Sequence, residues 1–228
     1  EAVPAKEVAR DPIADLAGPP PQIARPSEVF APRVNSTGLD VSDPDVLASF
    51  LSARDQHRGP VDADLDRPED AVGPLEQARS RLSTEVIAVE PQVPPRLSLA
   101  LGHVYRNAGK LEAAQSTLDQ ALVEFGNGWA ILRADTHQEL GVIALQRQQP
   151  EQAIALLNEA CTLYATTAEP TYLPWARARY SLAKALTHTS EAVPEEARRH
   201  ALAAQNVFRN SRQPELADEV ATWLADHS

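Results

Sequence analysis

Residues 97–122 read LSLALGHVYRNAGKLEAAQSTLDQAL, and residues 136–161 read THQELGVIALQRQQPEQAIALLNEAC. Each stretch contains Leu-Gly, and the same small and apolar residues follow it at fixed distances. An alanine lies twelve residues after the glycine, a leucine sixteen and a second alanine nineteen. An internal repeat identifies the unit that is stacked, so it indicates the fold more strongly than local propensity does. The matched residues are Leu101, Gly102, Ala114, Leu118 and Ala121 in the first copy, and Leu140, Gly141, Ala153, Leu157 and Ala160 in the second.

The spacing within each copy predicts two packed helices. Side chains three and four residues apart share one face of a helix, so Leu101 and Tyr105 lie on one face of the first helix. Gly109 lies between the two segments and can end that helix in a tight turn. A glycine inside a helix costs roughly 1 kcal/mol. It is tolerated where another helix approaches closely, so Gly102 and Gly141 are predicted to contact the second helix of their own pair. Two unrelated amphipathic hairpins of similar length are the alternative.

A third, imperfect copy follows. It has Leu182-Ala183 in place of Leu-Gly, and its second helix begins after the turn 187–194. The copies start 39 and 42 residues apart. Compared with a repeat of about 34 residues, the added length falls in 126–133 and 165–175. The small residues predicted to line the second helix of this copy are Ala197, Ala201 and Ala204.

The chain divides into three predicted parts. Residues 1–42 contain seven prolines and show neither a helical nor an alternating period. They are predicted to be a proline-rich linker, either disordered or extended as a strap along the helices. Residues 43–94 are predicted to form a degenerate helix pair. Residues 95–228 hold the three copies, and a last amphipathic helix over 214–227 is predicted to cap them, because the end of a stacked array needs a polar outer face.

The degenerate pair is predicted from caps, prolines and spacing. Asp43 suits the start of its first helix, and the second is predicted over 69–82. Pro74 favours a start of that second helix near Gly73, and Pro95 favours the start of the next helix. The residues that share the spacing of the later copies are Ala71, Leu75 and Ala78.

The copies resemble the tetratricopeptide repeat, whose signature includes Leu-Gly-x-x-Tyr followed by alanine and a large apolar residue. This resemblance implies an all-α superhelix of antiparallel helix pairs. The segments 153–160, 175–186 and 216–225 are also similar to repeats that follow the kinase domain in some bacterial eukaryotic-type serine/threonine kinases, and to repeats of related transcriptional and ATPase regulators. That similarity implies a sensing or docking module of a bacterial signalling protein. It does not imply a kinase, because no Gly-rich loop, His-Arg-Asp or Asp-Phe-Gly motif occurs.

Composition narrows the classes of partner and compartment. The formal net charge is -11, from 32 acidic and 21 basic residues, and this field repels nucleic-acid phosphates. No apolar run reaches the roughly 18 residues that cross a bilayer, so we expect a soluble chain. The single Cys161 excludes an internal disulfide and is predicted to be a small buried residue. Because the chain starts at Glu1 without any methionine, we expect a processed protein or an excised fragment, cytoplasmic or periplasmic.

No motif for catalysis or metal binding is found. The six histidines show no ligand spacing, and neither Gly-x-Ser-x-Gly nor a phosphate-binding loop occurs. Asp62, Asp64 and Asp66 alternate, but the following glycine and the distal glutamate of a calcium loop are missing. The sequence therefore predicts a protein that is not an enzyme and that needs no cofactor or metal. An enzyme whose catalytic groups meet only in the fold is the remaining alternative.

The surface predicted to bind a partner is the concave groove formed by the first helices of the copies. We call this surface the inner face. Its cationic side chains would suit an acidic peptide or protein, because arginine pairs with carboxylates in a bidentate manner. The lysine-asparagine clamp of chaperone-tail binders is not matched, since Leu99 and His103 occupy those positions. The predicted inner-face residues are Arg96, Leu99, His103, Arg106, Asn107, Gln138, Val142, Arg177, Tyr180 and Lys184, with Asp135, Gln146 and His188 beside them.

Two functions fit these features. The first is a protein-interaction scaffold that binds a peptide or partner protein in the groove. The second is a regulatory module that senses a ligand for a bacterial kinase or ATPase regulator. The sequence does not identify the partner or the oligomeric state.

Overall fold

The computed structural model describes residues 69–80, 82, 91, 93–189 and 194–227. Within this part of the chain, 84% of the residues are helical and none lies in a strand. The predicted all-α class is therefore confirmed. The predicted linker 1–42, the helix predicted after Asp43 and the acidic stretch 62–66 lie outside the described residues. The helices are α1 (Glu69–Ser80), α2 (Val93–Asn107), α3 (Leu111–Phe125), α4 (Ala130–Gln146), α5 (Pro150–Thr167), α6 (Leu173–His188), α7 (Glu195–Asn210) and α8 (Pro214–Asp226).

Consecutive helices pack in antiparallel pairs. The three predicted copies are the pairs α2–α3, α4–α5 and α6–α7, with α1 packed on α2 and α8 packed on α7. The second helix of each pair contacts the first helix of the next, and the first helices also contact one another, α2 with α4 and α4 with α6. The stacked helix pairs and the carboxy-terminal capping helix are thus as predicted.

Close approach of the two helices explains the glycines of the repeat. A Cβ atom added to Gly141 would lie 2.6 Å from Cγ of Leu157, and one added to Gly102 would overlap Leu118 in the same way. Both leucines are fully buried. The alanines of the pattern are fully buried as well, so small residues on both helices allow the backbones to approach. The predicted contact of each glycine with its own second helix is confirmed.

One tight turn recurs three times. Gly109 has φ 73°, and the N–H of the next residue, Lys110, donates to the carbonyl of Tyr105 at 2.8 Å. Gln148 between α4 and α5, and Arg212 between α7 and α8, both have φ 58°. In each case the following glutamine donates to the carbonyl five residues earlier, at 2.9 Å. The capping helix α8 is therefore joined to α7 by the turn that joins the helices of the first two copies, which the sequence analysis did not predict.

Two helices begin earlier than the prolines suggest. The helix α1 begins at Glu69 rather than near Gly73, and α2 begins at Val93 rather than at Pro95. Val93 is 4% exposed and belongs to one apolar cluster with Ala71, Val72, Leu75, Ala78, Leu97, Leu101 and Val104. In α1, burial of the first turn outweighs the loss of one backbone hydrogen bond at Pro74. In α2, Pro94 and Pro95 lie in the first turn, where no intrahelical N–H bond is lost.

We expect replacement of Gly141 by leucine to lower the free energy of unfolding by about 1 to 3 kcal/mol, because a large side chain cannot fit against Leu157 without displacing a helix. Urea unfolding measures the change. The matched control is Gly73→Leu in α1, where an added Cβ meets nothing within 4 Å. Leucine favours a helix over glycine, so this control should be neutral or stabilising. Equal effects at the two positions would contradict the packing.

Candidate partner-binding face

The predicted inner-face residues differ widely in exposure. Leu99 is 1% exposed and packs in the core between α2, α3 and α4. His103, Gln138 and Tyr180 are also buried. Asn107 is exposed, and the half-buried members are Arg96, Arg106, Val142, Arg177 and Lys184. The Leu99 side chain therefore offers almost no accessible surface to a partner, and it packs in the core beneath the inner face.

The structure brings three of these residues together around a glutamate that the sequence analysis missed. Glu139 of α4 lies opposite His103, Arg106 and Asn107 of α2. Its Oε1 is 3.1 Å from Nδ1 of His103, and its Oε2 accepts a hydrogen bond from Nε of Arg106 at 2.7 Å. The side-chain amide Nδ2 of Asn107 is 2.9 Å from Nε2 of His103. We call these four residues the Glu139 cluster, and it joins the first helix pair to the second.

The Glu139 cluster holds a charged carboxylate in the interior. Glu139 is 9% exposed. Burial by itself would raise the pKa of this carboxyl, but the charges and hydrogen bonds of His103 and Arg106 outweigh burial. They lower the pKa from 4.5 to about 2. Arg106 is thus already neutralised by a neighbour, so it contributes less positive charge to the inner face than the sequence suggests.

In the second pair, a buried tyrosine hydroxyl of the second helix contacts polar side chains of the first helix. Tyr164 of α5 is fully buried, and its hydroxyl donates to Oδ1 of Asp135 at 2.5 Å, with Oε1 of Gln138 at 3.3 Å. Burial, together with Asp135, raises the pKa of Tyr164 well above its usual value, so the hydroxyl remains a donor. A signal for Tyr164 was present in the sequence, because it occupies the position of the buried Phe125 in the first copy.

At the carboxy-terminal end, α8 covers part of the inner face. Nζ of Lys184 lies 4.3 Å from the centroid of the Tyr180 ring and 3.7 Å from Oε1 of Glu219 in α8. The Trp223 ring of α8 meets Tyr180 edge-on, with centroids 6.1 Å apart. Tyr180 is therefore largely covered by the capping helix, while Lys184 keeps a side chain that is 38% exposed.

The described residues provide no metal site. Among them, no three His, Cys, Asp or Glu side chains are grouped so that they could hold a metal ion. A cleft between α3, α4 and α5, bordered by Gln115 and Arg147, has a volume of about 40 Å³ and accommodates only a few water molecules. No described helix has the length and apolar character needed to cross a membrane.

Comparison with known families agrees with this architecture. A profile of the tetratricopeptide repeat matches residues 95–122, which cover most of α2 and α3. The α2–α3 pair thus matches a tetratricopeptide repeat. The α4–α5 pair has the same glycine, alanine and leucine positions and the same turn, so the described helices form a tetratricopeptide-repeat-like array. Comparison with curated proteins gives no match for the chain. Tetratricopeptide repeats generally mediate interactions between proteins.

The thiol of Cys161 provides a test of the core around α5. Cys161 is half-buried, and burial raises its pKa from 9.0 to about 11. Since only the thiolate reacts, we expect its reaction with Ellman's reagent near pH 8 to be about a hundredfold slower in the native protein than in urea. Similar rates in the two states would show that the thiol is accessible and that its pKa is not raised by the fold.

The Glu139 cluster predicts a specific acid sensitivity. Because the folded-state pKa of Glu139 is depressed to about 2, its contribution to stability is present above pH 4.5 and is lost as the pH falls toward 2. We expect the free energy of unfolding of the unaltered protein to fall more steeply over this range than that of Glu139→Gln, by about 3 kcal/mol in total. Urea unfolding at a series of pH values measures both. Parallel profiles would contradict a buried, ionised Glu139.

Proposed function

We propose that this protein is a non-catalytic interaction scaffold that binds an acidic peptide segment or partner protein on its inner face. The observation that carries the proposal is the position of Arg106 and Asn107. Both lie on α2, inside the segment that matches a tetratricopeptide repeat, and a buried carboxylate fixes the Arg106 side chain. Repeats of this family generally bind proteins, and guanidinium and amide groups are suited to carboxylates.

The chemistry of the proposed site comes from all three first helices. Arg96 and Arg106 of α2, and Arg177 and Lys184 of α6, supply cationic side chains on a protein whose net charge is -11, although Arg106 and Lys184 are also paired with Glu139 and Glu219. We assign the polar contacts to these four with Asn107, and apolar contacts to Val142. Leu99, His103, Gln138 and Tyr180 are buried and support the others. An acidic partner fits this set because cationic side chains attract its carboxylates, while the acidic remainder of the protein repels them from other parts of the surface.

The signalling role remains a separate prediction. Similarity of the carboxy-terminal half to repeats of bacterial kinases suggests a regulatory module that senses a ligand. The interaction scaffold is favoured over it because the pair α2–α3 matches a repeat that generally binds proteins.

Two arginines are unsuitable for a charge-reversal test, for structural reasons. Reversal of Arg106 would place a second carboxylate against the buried Glu139 and would destabilise the fold. Arg198 donates to the backbone carbonyl of His227 at 2.6 Å and so helps to hold the end of α8. The test uses Arg177 and Lys184 on the inner face, because the carboxylate beside Lys184 belongs to Glu219, whose side chain is 53% exposed rather than buried. The control uses Arg199 and Arg209, which are exposed on α7.

We expect Arg177→Glu combined with Lys184→Glu to weaken binding of a fluorescein-labelled hexaglutamate peptide by about tenfold or more, because two attractions become repulsions. Fluorescence anisotropy at low salt gives the dissociation constant, and circular dichroism checks that the helices persist. The control, Arg199→Glu with Arg209→Glu, changes the net charge equally and should retain most of the affinity. Equal losses in the two double variants would reject the inner face as the site. Failure of the unaltered protein to bind the peptide would reject an acidic partner.

A further inference from the structure

The position occupied by Glu139 differs in chemistry from the matching positions of the other copies. The residue immediately before the Leu-Gly motif is Ala100 in the first copy, Glu139 in the second and Ser181 in the third. All three are buried, at 3%, 9% and 8% exposure. A small residue is therefore sufficient for packing at this position, and a buried carboxylate there needs another explanation.

Stability does not supply that explanation. The attractions within the Glu139 cluster favour the ionised over the neutral carboxyl, but this does not make a buried charge more stabilising than an apolar side chain at the same position. Replacing a buried ion pair by apolar side chains is often neutral or stabilising. The copies with Ala100 and Ser181 bury this position without a charge.

The carboxylate of Glu139 orients side chains of α2. Both oxygens of Glu139 are engaged by side chains of α2, one by Nδ1 of His103 and the other by Nε of Arg106. Nε of Arg106 bonds Glu139 and its Nη2 lies 3.4 Å from Nδ1 of His103, so Nη1 is the guanidinium nitrogen that is not used within the cluster. The Arg106 side chain is 14% exposed, so a part of it reaches the surface. His103 in turn contacts the exposed Asn107 at 2.9 Å.

We infer that Glu139 is a positioning residue for partner binding: a buried carboxylate of the second helix pair that holds Arg106 directly, and Asn107 through His103, in the orientation that receives a partner carboxylate. This inference rests on the proposed function and names the residue that prepares the site. An arginine that is already held in one rotamer loses less conformational entropy when a ligand binds, so the fixed side chain favours affinity. Glu139 itself does not touch the partner.

The sign of the effect separates positioning from simple electrostatics. The substitution Glu139→Gln removes a negative charge from the neighbourhood of the site. If charge alone decided binding, an acidic peptide would bind the variant more tightly. If Glu139 positions the donors, the peptide binds less tightly, because Arg106 is released and the glutamine offers only one acceptor oxygen for two donors.

We expect Glu139→Gln to weaken binding of the labelled hexaglutamate peptide by about tenfold, measured by anisotropy near neutral pH, with the helical signal retained. The matched control is Glu112→Gln, which removes a carboxylate that is 89% exposed and 3.2 Å from Arg147. This control should leave the affinity unchanged or slightly higher. Nitrogen-15 spectra of the histidine side chains are recorded on the same samples. They should show His103 protonated at Nδ1 in the unaltered protein and a changed His103 signal in Glu139→Gln alone.

Each result decides between distinct conclusions. Affinity of Glu139→Gln equal to or tighter than that of the unaltered protein overturns the inference and leaves the proposed function standing. Weaker affinity with an unchanged His103 signal overturns it too, because the donors would then have kept their orientation. No binding of the peptide by the unaltered protein rejects the proposed acidic partner, and the positioning role with it.

Discussion

The close approach of two helices at a glycine is the constraint on which the array depends. Leu118 and Leu157 occupy the space that a Cβ would fill at Gly102 and Gly141, so each leucine is buried against the backbone of the facing helix. Such contacts need small residues around them, and the buried alanines of the second helices provide these. A core built in this way needs few large rings, which agrees with an aromatic content of 5%. Packing of small residues also fixes the distance between the helices, and thereby the face that each first helix presents.

Much of this architecture was predictable because the spacing within the copies is nearly constant. The Leu-Gly motif, or Leu-Ala in the third copy, and the following alanines located three helix pairs, and the hydrophobic spacing located α8. Helix starts were less predictable, since α1 continues through Pro74 with Ala71 buried, and Pro94 and Pro95 lie in the first turn of α2. The turn between α7 and α8 was missed because Arg212 stands where glycine is usual. A sequence signal did exist: Gln-Pro-Glu occurs at 149–151 and again at 213–215, directly after both left-handed residues.

The candidate site was less predictable than the fold, for a reason that His103 and Glu139 illustrate. Their contact joins non-equivalent positions of two different copies, so the period that locates the helices carries no information about it. Helical register indicates which face of its own helix a side chain occupies, but it does not indicate contacts with other helices. The carboxylate that neutralises Arg106 comes from α4, and the one that neutralises Lys184 comes from α8. Counting cations by register therefore overestimated the positive charge of the inner face. Burial of Leu99 was missed likewise, because it depends on how closely α3 and α4 pack.

The two kinds of contact meet on one turn of α4. Gly141 packs against Leu157 of its own pair, and Glu139, two residues earlier, reaches across to α2 of the preceding pair. A rotation of α4 that moved one contact would move the other, because both residues lie on the same turn of a rigid helix. The orientation of Arg106 is thus tied to the angle between the first and second pairs. By reciprocity, a partner that engages Arg106 favours one such angle, so the free energy of binding and the free energy of stacking these two pairs are coupled.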